Sequence, residues 1–349
     1  MLKNFWYACE FSAAVTDRPK QVKILHQKFV LYRQQGQVVA FKDQCPHRGA
    51  ALSLGRVENG CIHCPYHGWS FQADGQCTLI PANGPEVPVP PRARLETFPV
   101  QEKYGYIWLF YGDLPAGDRP PLPTFPAYLS TLHPVRHEGL EHANYARLMQ
   151  ANIDFAHVIA IHRKSFGQRI PLDKAIRYPV EADDWSAVAS VTYSSLGSSK
   201  SILNTVLGGR PDLTTRLSFY LPNVTLAEIS IGKGNDKDIR FGILVAFVPI
   251  DDHTTCAKRT LYRNIAPLPI LDRWVRKLDY QLAYEDTEVV ETIPSQVMPR
   301  ISEEQHVAAD ALDLTFRKLR QKYYAQGWGL QPSTQPLESS EYPALVGSG

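Results

Sequence analysis

The 349-residue chain has no run of eighteen or more apolar residues, no block of like charge, and no charged leader followed by an apolar stretch and a small-residue cleavage site. The first absence excludes a membrane-spanning helix of the usual length, and the third excludes a secretory signal at its start. Lysine and arginine (37) nearly cancel aspartate and glutamate (35), so no basic face is expected for nucleic acid or for an anionic membrane. The partner should be a small molecule or a protein, and the setting cytoplasmic. Cysteine is scarce as well: six residues, unevenly spread, do not make a secreted disulfide framework, whereas cysteine clustered with histidine points to metal. There is no internal repeat. The length suits two compact domains.

What is present divides along the chain. Residues 20–112 read as short strands: "VKILHQKFVLYRQQGQVVAF" gives two apolar runs around a glycine-containing polar turn, and "GYIWLFYG" is a strand between glycines. Residues 113–127, "DLPAGDRPPLPTFPA", carry five prolines and favour an extended connector. Beyond them the sequence predicts helix around 141–162, strands through "WSAVASVTYSS", "NVTLAEISIG" and "IRFGILVAFVPIDDHTTCAKRTLYRN", and two long helices after Pro269 and Ser302. Ser302 with Gln305 has the spacing of a capping box, and Gly327 marks a helix stop. The expected division is 1–114, a connector at 115–128, an α+β unit at 129–327 with an antiparallel sheet and C-terminal helices, and a loosely ordered tail from 328.

The stretch "CPHRGAALSLGRVENGCIHCPYHGWSF" holds three cysteines and three histidines in 27 residues. Cys45 and His47 are one residue apart, Cys64 and His67 two, with sixteen residues between the pairs. Each pair joins one thiolate to one imidazole, so two loop tips can offer both ligand types to a binuclear cluster. A [2Fe–2S] centre with two cysteines on one iron and two histidines on the other is the Rieske arrangement, of higher potential than an all-cysteine cluster. A structural Cys₂His₂ zinc site is the bland alternative, but zinc fingers usually pair like with like. Cys61 and His63 read as ordinary strand residues, and Cys9, Cys77 and Cys256 as small packed side chains.

These residues, with the flanking "CPHRGA" and "CPYHGW", resemble the Rieske iron–sulfur proteins, whose motif is C-x-H followed by C-x-x-H. The resemblance assigns Cys45, His47, Cys64 and His67 to the cluster. Respiratory Rieske proteins add two cysteines that clamp the cluster loops. Ala50 and Tyr66 stand at those positions, which suggests the lower-potential branch of ferredoxins and oxygenases.

More than two hundred residues follow the first unit, too many for a simple relay. Within "MQANIDFAHVIAIHRKSF", His157 and His162 are separated by five residues and Asp154 lies three before the first. At 100° per residue that separation sets two side chains about 140° apart, so they meet at one ion only if the helix bulges or ends between them. Two histidines need a carboxylate to form an open non-haem Fe(II) site. In "ILDRWVRKLDYQLAYEDTEVVETI" Asp286 falls on the stripe of Val275, Leu278, Leu282, Val289 and Ile293, where a carboxylate is costly unless a cation meets it. Glu285 is the second choice, and Glu288 and Glu291 read as solvated charges.

This second set resembles the catalytic domain of the Rieske non-haem iron oxygenases, with their D-x-x-H-x-x-x-x-H motif and a later Glu-Asp pair. The resemblance runs from residue 5 to about 325 and implies a helix-grip, START-like domain in a ring-shaped homotrimer. It implies that Asp154 bridges His157 to His67 of the partner subunit. It further implies a mononuclear Fe(II) held by His157, His162 and Asp286. A flavin- or iron–sulfur-containing reductase, with or without a ferredoxin, would pass electrons from NAD(P)H to the cluster, and O₂ would hydroxylate or demethylate a small aromatic or cyclic substrate, monooxygenation being favoured. Ala151 stands where the family often has asparagine, which leaves Asn152 without an assigned role. The aromatics Phe155, Phe166, Trp185, Tyr193, Phe219, Tyr220 and Phe247 are pocket candidates, although such residues in strands are more often core. Two other readings are a Rieske electron-transfer or ligand-binding protein without a working iron triad, and a pheophorbide-type pigment oxygenase. The latter usually carries a membrane anchor and a C-terminal C-x-x-C pair, neither of which appears here.

Overall fold

A computed structural model describes residues 1–84, 86–164, 175–194, 211–234, 238–293 and 298–330. The first third is built only of strands and short turns. Strand β1 (Phe5–Phe11) pairs through β10 (Tyr106–Tyr111) with β9 (Val100–Lys103); β2 (Lys20–Ile24), β3 (Gln27–Gln34) and β4 (Gln37–Lys42) form a second sheet. A third sheet comprises β5 (Arg56–Glu58), β6 (Cys61–His63), β7 (Ser70–Phe71) and β8 (Cys77–Leu79). Aromatic and β-branched residues drive these pairings. Tyr106 to Phe110 of β10 are all buried, so that strand packs on both faces.

The first apolar run of residues 20–34 is two strands, not one. It folds back at Leu25 and His26, both with positive φ (53° and 66°). Neither residue is a usual turn former. The turn is held instead from outside, because Leu25 N–H donates to the carbonyl of Pro249 (2.7 Å) and His26 N–H to that of Ile250 (2.9 Å). Tertiary hydrogen bonds supply what local sequence lacks.

The second unit is a seven-stranded antiparallel sheet in the order β11 (His133–Glu141), β17 (Thr255–Arg263), β16 (Ile239–Pro249), β15 (Val224–Gly232), β14 (Asp212–Tyr220), β13 (Ser186–Tyr193) and β12 (Val180–Ala182). Helix α1 (Tyr145–Asn152) crosses β15 and β16, α3 (Asp272–Val290) lies along β11, and α4 (Ala311–Ala325) along β12 and β13; the four-residue α2 (His157–Ala160) follows α1. This is the expected α+β unit, a long antiparallel sheet gripped by C-terminal helices. One core joins the halves, running from Phe5, Tyr7, Leu25 and Phe29 to Tyr145, Phe219, Phe247 and Phe316.

Three expectations need correction. Ser302 and Gln305 do not open the last helix: residues 301–303 are a single 3₁₀ turn, and α4 starts at Ala311 after Asp310 accepts from Val307 N–H (2.8 Å). The stop at Gly327 (φ +78°) stands. The tail does not begin at 328, because Trp328 stacks on Tyr323 (4.9 Å) and Leu330 N–H donates to Met1 (2.9 Å). Finally, α3 does not bury the stripe read from the sequence. Leu278 and Val289 are exposed, and the inward seam is Asp279, Ala283, Thr287 and Val290. That seam is polar because the sheet answers it: His137 Nε2 of β11 lies 2.5 Å from Asp279, and beside them Arg259 of β17 pairs with Glu141 (2.9 Å).

Two candidate metal centres

The cysteine–histidine loops repeat one backbone design. Cys45 N–H donates to Ala50 and Gly49 N–H to Cys45 (both 2.9 Å); Cys64 N–H donates to Trp69 (2.8 Å) and Gly68 N–H to Cys64 (3.0 Å). The glycine four residues after each cysteine has φ of +79° or +71°, a conformation that a side chain would strain. The repeated turn buries both thiols in a cluster with Val30, Phe41, Leu52, Ile62 and Phe71, and lifts both imidazoles outward. His47 Nδ1 and His67 Nδ1 approach to 3.1 Å. Burial pushes the Cys45 thiol up to about 11, so a cation must favour its thiolate for it to serve as a ligand. Burial and the neighbouring His67 and Arg48 hold His47 below the usual histidine range. Two soft sulfurs facing two converging imidazole nitrogens fit a Rieske cluster.

The sequence reading did not anticipate the rings around these histidines. Trp69 stacks on His47 (4.7 Å, 4° between planes), and Tyr66 lies against His67 (3.8 Å). Both are embedded in the quoted "CPYHGW", so the signal was in view. Cys61 and His63 sit in β6, where Ser70 Oγ bonds His63 Nδ1 (2.7 Å). All six cysteines are free thiols.

The second constellation assembles from distant chain segments. Helix α2 ends at Ala160, and His162 leaves helical geometry (φ −88°, ψ 24°), which turns its ring toward His157. The expected break between the two histidines is therefore present. Ligand atoms of His157, His162 and Asp286 all lie within 4.8 Å of one another. Asp286 Oδ1 is 3.6 Å from His157 Nε2 and 3.2 Å from His162 Nε2, and it is buried without a hydrogen-bond partner. The outer nitrogens are both engaged: His157 Nδ1 meets the backbone carbonyl of Asp154, and His162 Nδ1 meets Glu285 Oε2, each at 2.8 Å. An orphaned buried carboxylate oxygen facing two Nε2 atoms is a donor set that suits a divalent cation. Burial lowers the proton affinity of His162, yet Asp286 and Glu285 outweigh it and leave its pKa raised.

Asp154 is not on a helix. It lies between α1 and α2, where its carboxylate accepts from Ala156 N–H (2.7 Å) and His157 N–H (3.0 Å), with its second contact to His157 Nδ1 at 3.9 Å. Asn152 receives a bond from Thr225 Oγ1 (2.5 Å), which ties α1 to β15. The aromatic candidates are mainly core: Phe219 meets Phe316 (5.1 Å), Trp185 stacks on Tyr323 (5.3 Å), and Phe155 packs on Tyr178 (4.7 Å). Phe166 lies outside the described residues.

Two family profiles match the chain: "Rieske [2Fe-2S] domain" over residues 5–99, and "Vanillate O-demethylase oxygenase C-terminal domain" over residues 142–326. The chain belongs to the Rieske oxygenases. Among curated proteins, this oxygenase is 33% identical over 190 residues to the vanillate O-demethylase oxygenase subunit of Pseudomonas sp. (strain HR199 / DSM 7063), covering 52% of the chain and 51% of that protein. It is 34% identical over 186 residues to chloroplastic chlorophyllide a oxygenase of Chlamydomonas reinhardtii, covering 51% of the chain and 27% of that protein. The oxygenase thus aligns with about half or less of these curated relatives. Among solved structures, dicamba monooxygenase bound to 3,6-dichlorosalicylic acid superposes with a TM-score of 0.77 at 24% identity, over 94% of this chain and 99% of that one, which shows the shared fold. Among the described residues no helix is long and apolar enough to cross a membrane.

Proposed function

We propose that the protein is the terminal oxygenase component of a Rieske non-haem iron system that hydroxylates or oxidatively demethylates a small aromatic or cyclic molecule. One observation carries the reading: His157 Nε2, His162 Nε2 and the unpartnered Asp286 Oδ1 converge. In this proposal Cys45, His47, Cys64 and His67 hold the [2Fe–2S] cluster, and His157, His162 and Asp286 hold a mononuclear Fe(II). Bound there, the two centres would supply electrons and activate O₂. The units carrying them are residues 1–114 and a second unit from 129 that extends past 327 to at least Leu330, joined by 115–128. The curated relatives named as vanillate and dicamba O-demethylases support the substrate class and favour monooxygenation.

The chain's own residues prepare this chemistry. The outward bonds of both Nδ1 atoms leave each Nε2 as a lone-pair donor aimed inward. Asp154 holds the start of α2 by two backbone bonds and thereby fixes His157, while its carboxylate stays partly exposed. That exposure suits the proposed link to His67 of the partner subunit in a homotrimer. Exposed apolar residues on the outer face of α3 and the turn before it, Leu268, Ile270, Trp274 and Tyr284 among them, support burial in an assembly. Electrons would come from NAD(P)H through a separate reductase, with a ferredoxin where one is used. The four cysteines outside the proposed cluster, Cys9, Cys61, Cys77 and Cys256, form no disulfide, which suits a reducing cytoplasm.

Iron counting tests the proposal. Cluster-replete protein should bind three irons per chain, and reduced protein treated with nitric oxide should give a high-spin iron–nitrosyl signal beside the cluster signal. His162→Ala should retain two irons and lose the nitrosyl signal together with turnover. Wild-type protein with only two irons under saturating Fe(II) would instead indicate an electron-transfer or ligand-binding protein.

A further inference from the structure

Consecutive residues of α3 bracket a single imidazole. Glu285 Oε2 lies 2.8 Å from His162 Nδ1, on one edge of the ring, and Asp286 Oδ1 lies 3.2 Å from Nε2, on the other. The two carboxylates therefore cannot do the same job. Glu285, the second choice for a ligand on sequence grounds, is engaged at Nδ1 and is not a member of the converging set of His157, His162 and Asp286.

We infer that Glu285 is a positioning residue: its carboxylate locks His162 in the tautomer that directs a bare Nε2 at the metal position, and so sets how tightly that position holds Fe(II). This rests on the proposed reading of His162 as a ligand. An ionised carboxylate can only accept, so the Nδ1 atom facing Glu285 carries the hydrogen. Neutral imidazole then has its lone pair on Nε2, beside Asp286. The negative charge behind the ring also makes Nε2 a stronger donor than imidazole alone.

The comparison with His157 sharpens the point. Its Nδ1 meets a backbone carbonyl, that of Asp154, at the same 2.8 Å. One imidazole of the pair is backed by an anion and the other by a neutral dipole, so a change at Glu285 acts on one ligand only. His162 also occupies the non-helical kink after α2, which brings the ring toward His157 but does not decide which ring nitrogen carries the hydrogen. Glu285 decides that from α3.

The test is anaerobic equilibrium dialysis of Fe(II) against cluster-loaded protein, with the cluster's visible spectrum as a check on folding. Glu285→Ala should weaken Fe(II) binding by about 10- to 100-fold. Glu285→Gln keeps an acceptor oxygen but no charge, and its loss should be smaller. His162→Ala should bind no third iron. If Glu285→Ala and Glu285→Gln bind Fe(II) like wild type while His162→Ala does not, the positioning role is wrong and the ligand reading survives. If His162→Ala binds like wild type, the ligand reading itself fails.

Discussion

The two candidate centres are built in opposite ways. At the cysteine–histidine loops all four donors come from one stretch of 23 residues, carried on twin turns that bury sulfur and expose imidazole. The histidine–aspartate triad gathers a helix break and a helix more than a hundred residues later, and its donors face inward around a buried carboxylate oxygen. Local turns specify the first; tertiary packing of α3 on the sheet specifies the second. In the proposed function the first would exchange electrons at a surface, and the second would hold a metal facing a bound substrate.

Substitutions that separate the two constructions should differ in size. The largest effect is expected from Cys45→Ser: the visible cluster spectrum should vanish entirely while far-ultraviolet circular dichroism of the large sheet stays native. If the sheet unfolds too, the loops are not an independently specified element.

Asp154 is the next probe, because in the proposed function it joins the two constructions. Asp154→Asn keeps an acceptor for the Ala156 and His157 amides, so stability should hold, but turnover should fall by about 10- to 100-fold with both iron contents unchanged. Asp154→Ala should in addition cost about 1 kcal/mol of stability in urea unfolding, the usual size of a lost cap. Equal turnover for Asp154→Asn and wild type would remove the proposed bridge.

The last effect is confined to stability, with iron content and turnover untouched, and distinguishes a buried carboxylate with a task from one without. Burial pushes Asp313 up from 3.8 to about 6, with Arg317 offsetting only part of the cost. Its folded pKa lies above its unfolded one, so the folded chain holds the extra proton between those values and stability falls as pH rises from about 4 to about 6. Asp313→Asn should therefore stabilise the protein by about 3 kcal/mol at pH 8 and by well under 1 kcal/mol at pH 4, read from chemical denaturation at each pH. The same gain at both pH values would mean that packing, not charge, is responsible.

How much of this was legible in the sequence follows the same division. Cys45, His47, Cys64 and His67 could be read from spacing because their glycine-marked turns are local. The break before His162 could be read as well, since a five-residue separation on an unbroken helix points two rings apart. Asp286 does lie in the converging set, but it was read from an apolar stripe that α3 does not bury. The buried seam carries Asp279 and faces His137, and a hydrophobic pattern cannot register a face held by ion pairs. The start of α4 was missed because Ser302 falls inside a 3₁₀ turn that Glu303 closes onto the Arg300 amide, and the contact of Glu285 with His162 because its partner on the distant kink is met in the folded state alone.

The turn at Leu25 and His26 has a consequence for how such proteins can be recombined. Its amides are satisfied by carbonyls of residues 249 and 250, on the far side of the proline-rich stretch that looks like the natural place to cut. A chimera that joins one relative's electron-receiving half to another's reaction chamber at that stretch would separate the turn from its acceptors. Inheritance of the two halves is therefore coupled by a pair of backbone contacts that no side-chain comparison displays, and a successful graft has to transplant the hairpin and the 249–250 corner together.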